Sequence, residues 1–411
     1  MRVTGIIAEY NPFHNGHKYQ LEVAREITNA DYIVVVLSGN FTQRGGVSIM
    51  DKYTRSEAAL MCGADLVIEL PLYYATGSAE YFATGAIALL DKLGVVDSVC
   101  FGSESGNMEA ISDIAQYLLD EPEDFRQLLT DYLKEGLTFP QARALALSNH
   151  FQDHPEYQQI LTAPNNILGI EYVKAIKKRN SKIVAYTNLR VGSDYHDKRL
   201  QIHNSSAIAI RHSLKNCHDL DLVTDQIPDI TVPLLRKHFD KDFPVFSDSI
   251  SSLLYYKLLL EAEHGYADYV DVTSDISDRI KNHLGQFTTF NEFSDLLKSK
   301  DVTYSRISRC LIHILLNVKK DALAAYMSED NILYARMLGF RQEARPLLNA
   351  IKKNSQIPLL SKMADASKKI DATGVMMLKE DVMASHVYES IVSSTFNLPL
   401  SNEYTRKIVK H

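Results

Sequence analysis

Two histidines three residues apart, His14 and His17, enclose a glycine in the run Glu9-Tyr10-Asn11-Pro12-Phe13-His14-Asn15-Gly16-His17. Imidazoles at that spacing can both address one anion, and Gly16, lacking a side chain, lets the backbone approach a phosphate closely. The chemistry this suits is displacement at the α-phosphate of a nucleoside triphosphate, where negative charge builds on non-bridging and leaving oxygens as pyrophosphate departs. One preorganised donor aimed at such charge is worth roughly 100- to 1,000-fold in rate. His14 and His17 are therefore the candidate catalytic residues, and no carboxylate base is required. A histidine that merely caps a turn is the plainer alternative. A strand, an Asn-Pro-Phe turn, the H-x-G-H spacing and a helix in that order favour the chemistry.

The neighbouring residues must supply the elements that hold such a turn. The apolar run Val3–Ala8 is short enough for a central parallel strand, and from His17 onward Tyr19, Val23, Ala24 and Ile27 recur at helical spacing. The turn then lies at a strand's carboxyl end, where open α/β sheets bind ligands and helix N-terminal amides favour phosphate. Further strand-like runs are Tyr32–Ser38, Leu66–Leu70, Ser98–Gly102 and Ile183–Thr187. They alternate with helical stretches His17–Asn29, Tyr53–Cys62, Ala79–Leu93 and Asn165–Arg179, while Met108–Asn149 is mostly helical. This alternation predicts an α/β, Rossmann-like parallel sheet domain over residues 1–215 that closes at Ile183–Thr187. Residues 216–411, punctuated by Pro228, Pro233 and Pro244, predict a mainly α-helical C-terminal domain, with strand, helix and strand across Tyr334–Met363.

Composition is that of an ordinary globular enzyme, with 411 residues, 45% hydrophobic and 23% charged, and it fits two or three domains. Met1-Arg2 leads straight into the first strand, and the apolar windows Tyr32–Leu37 and Cys310–Leu316 are too short to span a bilayer, so a cytoplasmic protein without membrane contact is expected. Cys62, Cys100, Cys217 and Cys310 lie far apart with no C-x-x-C pair, which predicts buried reduced thiols and no metal site. The net charge of −7 leaves an RNA ligand to local basic clusters, for which Lys174, Lys177, Lys178 and Arg179, then Lys198 and Arg199, then Arg306, Arg309, Lys319 and Lys320 are candidates. Charged runs of this kind are more often solvated helix faces.

The His14-Asn15-Gly16-His17 turn resembles the H-x-G-H signature of the nucleotidylyltransferase superfamily, which also holds the class I aminoacyl-tRNA synthetases. The longer run from Glu9 to His17, with Ser38-Gly39-Asn40-Phe41-Thr42-Gln43-Arg44-Gly45, Pro164-Asn165-Asn166-Ile167-Leu168-Gly169 and Leu338-Gly339-Phe340, resembles the bacterial tRNA(Met) cytidine acetate ligase family across essentially the whole chain. That resemblance implies an ATP-dependent ligase. It would activate acetate as acetyl-adenylate and pass the acetyl group to the wobble cytidine of elongator tRNA(Met), giving N(4)-acetylcytidine, with Mg²⁺ held mainly by the triphosphate and no stable protein partner.

The resemblance also implies site residues. ATP would lie along Ile7, Ala8, Glu9, Tyr10, Asn11, Pro12, Phe13, His14, Asn15, Gly16, His17, Lys18, Tyr19 and Gln20, with Lys18 adding charge if it faces inward. Gly102, at a strand end, would let ribose or adenine approach. Asn165, a candidate helix N-cap, would also contact nucleotide, and Arg190 with Val191 would reach adenine or phosphate. Arg211 would hold the β- or γ-phosphate through its guanidinium fork and act as a third catalytic residue. The segment Ser205-Ser206-Ala207-Ile208-Ala209-Ile210-Arg211 departs from the superfamily, since Ile208 stands where a threonine is expected and the neighbouring lysine is missing. Tyr10, Phe13, Phe41, Tyr73 and Tyr74 are candidates for stacking on a splayed base, although aromatics more often pack in cores. Two other readings remain open. One is a nucleotidylyltransferase acting on a phosphorylated small metabolite, for which the C-terminal half is superfluous. The other is a nucleotide-sensing or RNA-binding module with a degenerate site.

Overall fold

The computed structural model describes the chain except for residues 155, 156, 158, 159, 162, 191–199 and 201–204, which contain Val191, Lys198 and Arg199. The strands are β1 (Val3–Ala8), β2 (Tyr32–Ser38), a short hairpin of β3 (Phe41–Thr42) and β4 (Gly46–Val47), β5 (Leu66–Leu70), β6 (Ser98–Ser103), β7 (Val184–Leu189), β8 (Ala335–Phe340), β9 (Leu359–Leu360) and β10 (Val409–Lys410). Helices that matter for the site are α1 (Asn15–Thr28), α2 (Lys52–Met61), α3 (Ala79–Lys92), α4 (Pro164–Lys178), α5 (Ala207–Cys217), α6 (Tyr304–Leu315) and α7 (Ala372–Phe396).

The main sheet runs β10-β8-β5-β2-β1-β6-β7, with β9 beside β8. β1 pairs in parallel with β2 on one side and β6 on the other, so the strand order reverses there and opens a crevice at the carboxyl ends. Alternation along the strands makes two cores. Val3, Val34, Val36, Val99 and Phe101 pack with Phe82, Ala83 and Tyr172 of α3 and α4. Ile6, Ile33, Val35 and Leu37 pack with Leu21, Ala24 and Ala58 of α1 and α2 on the opposite face.

The expectation that the sheet closes at Ile183–Thr187 is corrected. β8 adds antiparallel to β5 at the far edge and β10 then pairs with β8, so strands from beyond Asn216 extend the first half's sheet and cross the expected division at 215/216. The strand, helix and strand foreseen over Tyr334–Met363 are present as β8, Arg345–Asn354 and β9. Their attachment to β5 was not visible because apolar periodicity says nothing about partners. Cys62, Cys100 and Cys310 are buried, but Cys217 is exposed at the end of α5.

Behind β5 the two halves are joined by buried charge. Lys52 Nζ lies 2.7 Å from both Glu69 Oε1 and Glu403 Oε1, and Arg336 pairs with the same two carboxylates. All four side chains are at most 5% exposed. Beside them, burial and the charge of Glu69 push the Asp381 carboxyl up to about 7.

Candidate active site

The turn after β1 is built by its own side chains. Tyr10 adopts a left-handed backbone, φ +49°, which is uncommon for a bulky residue and marks a functional turn rather than a relaxed one. His14 is the N-cap of α1. Its Nδ1 accepts from the Gly16 N–H at 3.1 Å, while the His17 Nδ1 accepts from the His14 N–H at 3.3 Å. This reciprocal capping box starts α1 two residues earlier than the periodicity predicts. It also fixes both tautomers. A neutral imidazole accepting at Nδ1 carries its proton on Nε2, so each ring keeps one donor for an anion.

The two imidazoles stack with centroids 3.7 Å apart, and His17 is held from behind by the rings of Tyr10 and Phe13 at 4.8 and 5.7 Å. Burial, then Arg190 and Arg211, lower the His14 pKa to about 3. Burial, then His14 and Arg190, hold His17 well below its usual value. Both rings are therefore neutral donors near neutral pH, not imidazolium ions.

The crevice they line has about 1160 Å³ of empty space, open solvent included. Of the expected residues, Ile7, Ala8, Glu9, Tyr10, Asn11, His14, His17, Gln20, Gly102, Asn165, Arg190 and Arg211 line it, and Gly16 and Tyr19 line an adjoining polar pocket. Four residues of the Ile7–Gln20 run do not. Phe13 is buried beneath the turn and Pro12 is buried beside it. The Asn15 amide donates to the Asp225 carbonyl at 3.0 Å. Lys18 faces outward, 3.8 Å from Glu22 on the next turn of α1. Val191 lies outside the described residues.

Other expectations shift in detail. The N-cap of α4 is Ala163, not Asn165. The Glu104 carboxylate, past the end of β6, accepts from the Asn165 and Asn166 amides at 3.3 and 2.9 Å and from the Asn165 side chain at 2.6 Å. A side chain on Gly102 would come within 3.1 Å of Arg190 Cγ, so glycine is what lets Arg190 fold over the strand end. Ser206 caps α5, and Arg211 Nη1 donates to the Asn11 carbonyl at 2.6 Å, tying α5 to the turn. Ile208 lines the crevice where the superfamily has a hydroxyl. Phe13, Phe41, Tyr73 and Tyr74 are core residues, at most 2% exposed, and are unavailable for stacking on a base. Among the basic clusters, Lys174, Arg179 and Arg309 are engaged by Glu80, Asp330 and Asp271.

Several lining residues escaped the sequence reading, namely Thr42, Gln43, Arg44, Phe82, Phe101, Leu168 and Tyr172. Thr42 to Arg44 come from the hairpin, whose tip packs on α6: a side chain on Gly45 would meet the Arg309 nitrogen at 2.3 Å. Glu9 holds this hairpin by accepting from the Gln43 N–H at 2.7 Å. Beneath the floor, the fully buried Arg55 donates to the carbonyls of Glu9, Ser38, Gly39 and Met50 at 2.5–3.1 Å, joining the ends of β1 and β2. Among the described residues no carboxylate lies within ion-pair distance of it. Arg44, Arg190 and Arg211 line the crevice with Glu9 as the one carboxylate there among the described residues, a balance suited to a polyanion. No group of three His, Cys, Asp or Glu side chains able to hold a metal occurs among the described residues, and no described helix is long and apolar enough to cross a membrane.

Comparison with known proteins agrees with this geometry. Residues 1–402 match the HIGH Nucleotidyl Transferase family. The chain is 41% identical over 394 residues to the tRNA(Met) cytidine acetate ligase of Clostridium novyi, covering 96% of each chain, and 36% identical to that of Acetivibrio thermocellus over the whole of both. It superposes on the crystal structure of Thermotoga maritima TmcAL in its apo form with a TM-score of 0.93 at 32% identity, covering 100% of this chain and 99% of that one. Against the same protein bound with alpha-thio ATP the TM-score is 0.91 at 31% identity, with the same coverage. With the H-x-G-H turn at the sheet's switch point and relatives matched from end to end, the chain belongs to the HIGH nucleotidyl transferase family, among its tRNA(Met) cytidine acetate ligases.

Proposed function

We propose that the protein uses ATP to activate acetate as acetyl-adenylate and then acetylates the wobble cytidine of elongator tRNA(Met) to N(4)-acetylcytidine, releasing AMP and pyrophosphate in the cytoplasm. The observation that carries this reading is the pair of neutral, stacked imidazoles with Nε2 donors, set in a crevice whose described lining holds three arginines and one carboxylate. An acetate oxygen attacks the α-phosphorus and the bond to the pyrophosphate oxygen breaks. His14 and His17 donate to the phosphate oxygens on which charge accumulates, and Arg211 with the amides at the start of α5 takes the pyrophosphate side. The cytidine N4 amine then attacks the acetyl carbonyl and AMP leaves. This step is governed by positioning, because the mixed anhydride is already activated.

Among the described residues the lining fits a metal that arrives with the triphosphate better than a protein cage, since Glu9 is the only lining carboxylate among them and one of its oxygens accepts from Gln43. Bound in that way, Mg²⁺ would neutralise charge on the phosphate oxygens. Residues 216–411 are proposed to supply the surface that carries the tRNA. ATP–pyrophosphate exchange with and without acetate, followed by mass analysis of tRNA(Met) nucleosides after incubation with labelled acetate, tests the reading. Acetate-dependent exchange and labelled acetylcytidine are expected. Exchange that ignores acetate, with nucleotide transfer to a phosphorylated metabolite, would overturn it.

A further inference from the structure

The crevice has two ends of opposite character. His14, His17, Arg190 and Ser206 line both the crevice and the adjoining pocket, which makes that end polar. Away from that pocket, on the α3 and α4 side of the sheet, the walls are Ile7, Phe82, Phe101, Leu168 and Tyr172, with Asn165 of α4 as the polar residue one helical turn before Leu168. We infer that this apolar end is the acyl subsite, that it takes the alkyl group of a short unbranched monocarboxylate, and that Phe82 and Leu168 set the chain length accepted.

The inference rests on the adenylation reading above and adds the basis of its carboxylate selectivity. In-line displacement requires the attacking oxygen to approach opposite the departing pyrophosphate. With the anion held by the histidines and Arg211, the carboxylate must enter from the other end. In this assignment Thr42, Gln43 and Arg44, which also line the crevice, are the rim that offers donors to the carboxylate oxygens, and the apolar walls receive what lies beyond. A carboxylate facing the rim and phosphate would turn its alkyl group toward Phe82 and Tyr172, which are 3% and 4% exposed. No described residue hydrogen-bonds the Tyr172 hydroxyl.

The walls cannot retreat. A side chain on Gly169 would meet the Phe101 ring at 2.4 Å, so α4 is seated directly on that ring, and Phe101 and Tyr172 are in contact with centroids 5.6 Å apart. One methylene in a close-fitting apolar pocket discriminates roughly 10- to 200-fold. The subsite should therefore separate acetate from propionate by that factor.

The test is pyrophosphate exchange with acetate, propionate and butyrate on the parent protein and on Leu168→Ala and Phe82→Leu. Leu168 is only half-buried, so its truncation leaves a folded protein even if Phe82→Leu does not. Both variants should narrow the acetate-to-propionate ratio of kcat/KM about 10-fold by raising propionate, with KM for ATP unchanged. An unchanged ratio together with a raised KM for ATP would overturn the assignment and make the aromatic end a nucleobase pocket, leaving the ligase reading intact. Absence of any carboxylate-dependent exchange in the parent protein would instead sink both.

Discussion

Arg55 on α2 and Arg336 on β8 are both sealed inside the protein, yet their surroundings differ. Arg336 lies between Glu69 and Glu403 with Lys52 opposite, two cations matched by two carboxylates. Among the described residues Arg55 is hydrogen-bonded to carbonyl oxygens alone, and the carboxylates of Asp51, Glu9 and Glu69 act on it from beyond ion-pair distance. Carbonyl dipoles satisfy the donors of a guanidinium but leave its charge in place. The protein thus pairs buried charge directly where two halves of the chain are joined and leaves it without a direct partner beneath the floor of an anion-binding crevice. Burial lowers the Arg55 pKa, but an arginine remains protonated in proteins, so its field persists.

The largest effect should come from the matched cluster. Glu403→Ala leaves two buried cations to share Glu69, and breaking such a set costs about 3–5 kcal/mol. Denaturant unfolding should show that loss, while the protein that remains folded keeps its exchange rate; a loss of activity without loss of stability would erase the contrast between the two regions. His17→Ala should do the reverse. Removing one transition-state donor is worth roughly 100- to 1,000-fold in pyrophosphate exchange, and the melting temperature should move little by comparison. Arg55→Lys keeps the charge but cannot reach all four carbonyls. Leaving a buried acceptor unpaired costs about 1–3 kcal/mol, and this should appear as a raised KM for ATP as well as a lower melting point. If only stability changes, Arg55 belongs with Arg336.

The smallest effect concerns protons. In the unfolded chain a histidine binds a proton below about pH 6.5, whereas folded His14 does so only near 3 and His17 well below its usual value. The unfolded state therefore binds more protons across that window, and stability contributed by the neutral rings is present above it and lost as pH falls through it. Each ring should contribute up to about 1.4 kcal/mol per pH unit. Asp381 and Glu389, both pushed up to about 7, act in the opposite sense. The informative quantity is accordingly the urea midpoint of the parent protein minus that of His14→Gln, at pH 7 and at pH 5. A difference independent of pH would show that folding does not shift the titration of the ring.

Much of this was legible in the sequence for particular reasons. The turn from Glu9 to His17 was readable because glycine and two histidines between an apolar run and a helical pattern have few other uses, and β1, β2, β5 and β6 fell within a residue or so of their apolar runs. Which way Lys18 faces was not readable, because a lysine near a helix start looks the same facing in or out, and its neighbour Glu22 decides it. Phe82, Phe101 and Tyr172 were hidden by their double role, since an aromatic at core spacing does not announce that one edge also faces a crevice. The hairpin at 41–47 was too short for any periodicity. Glu104 caps a helix some sixty residues away, beyond the reach of local rules.

The junction at Glu403 has a consequence for how the molecule is made. Synthesis delivers β1, the histidine turn and Lys52 long before β8 and Glu403, and contacts so distant in sequence are entropically late to form. Until β8 docks, β5 is left as an open edge, and from then until Glu403 arrives Lys52 and Arg336 share Glu69. A nascent chain can therefore display the nucleotide-binding turn well before its scaffold is complete, and the closing of a distant charge cluster becomes the event that turns a partly assembled sheet into an enzyme.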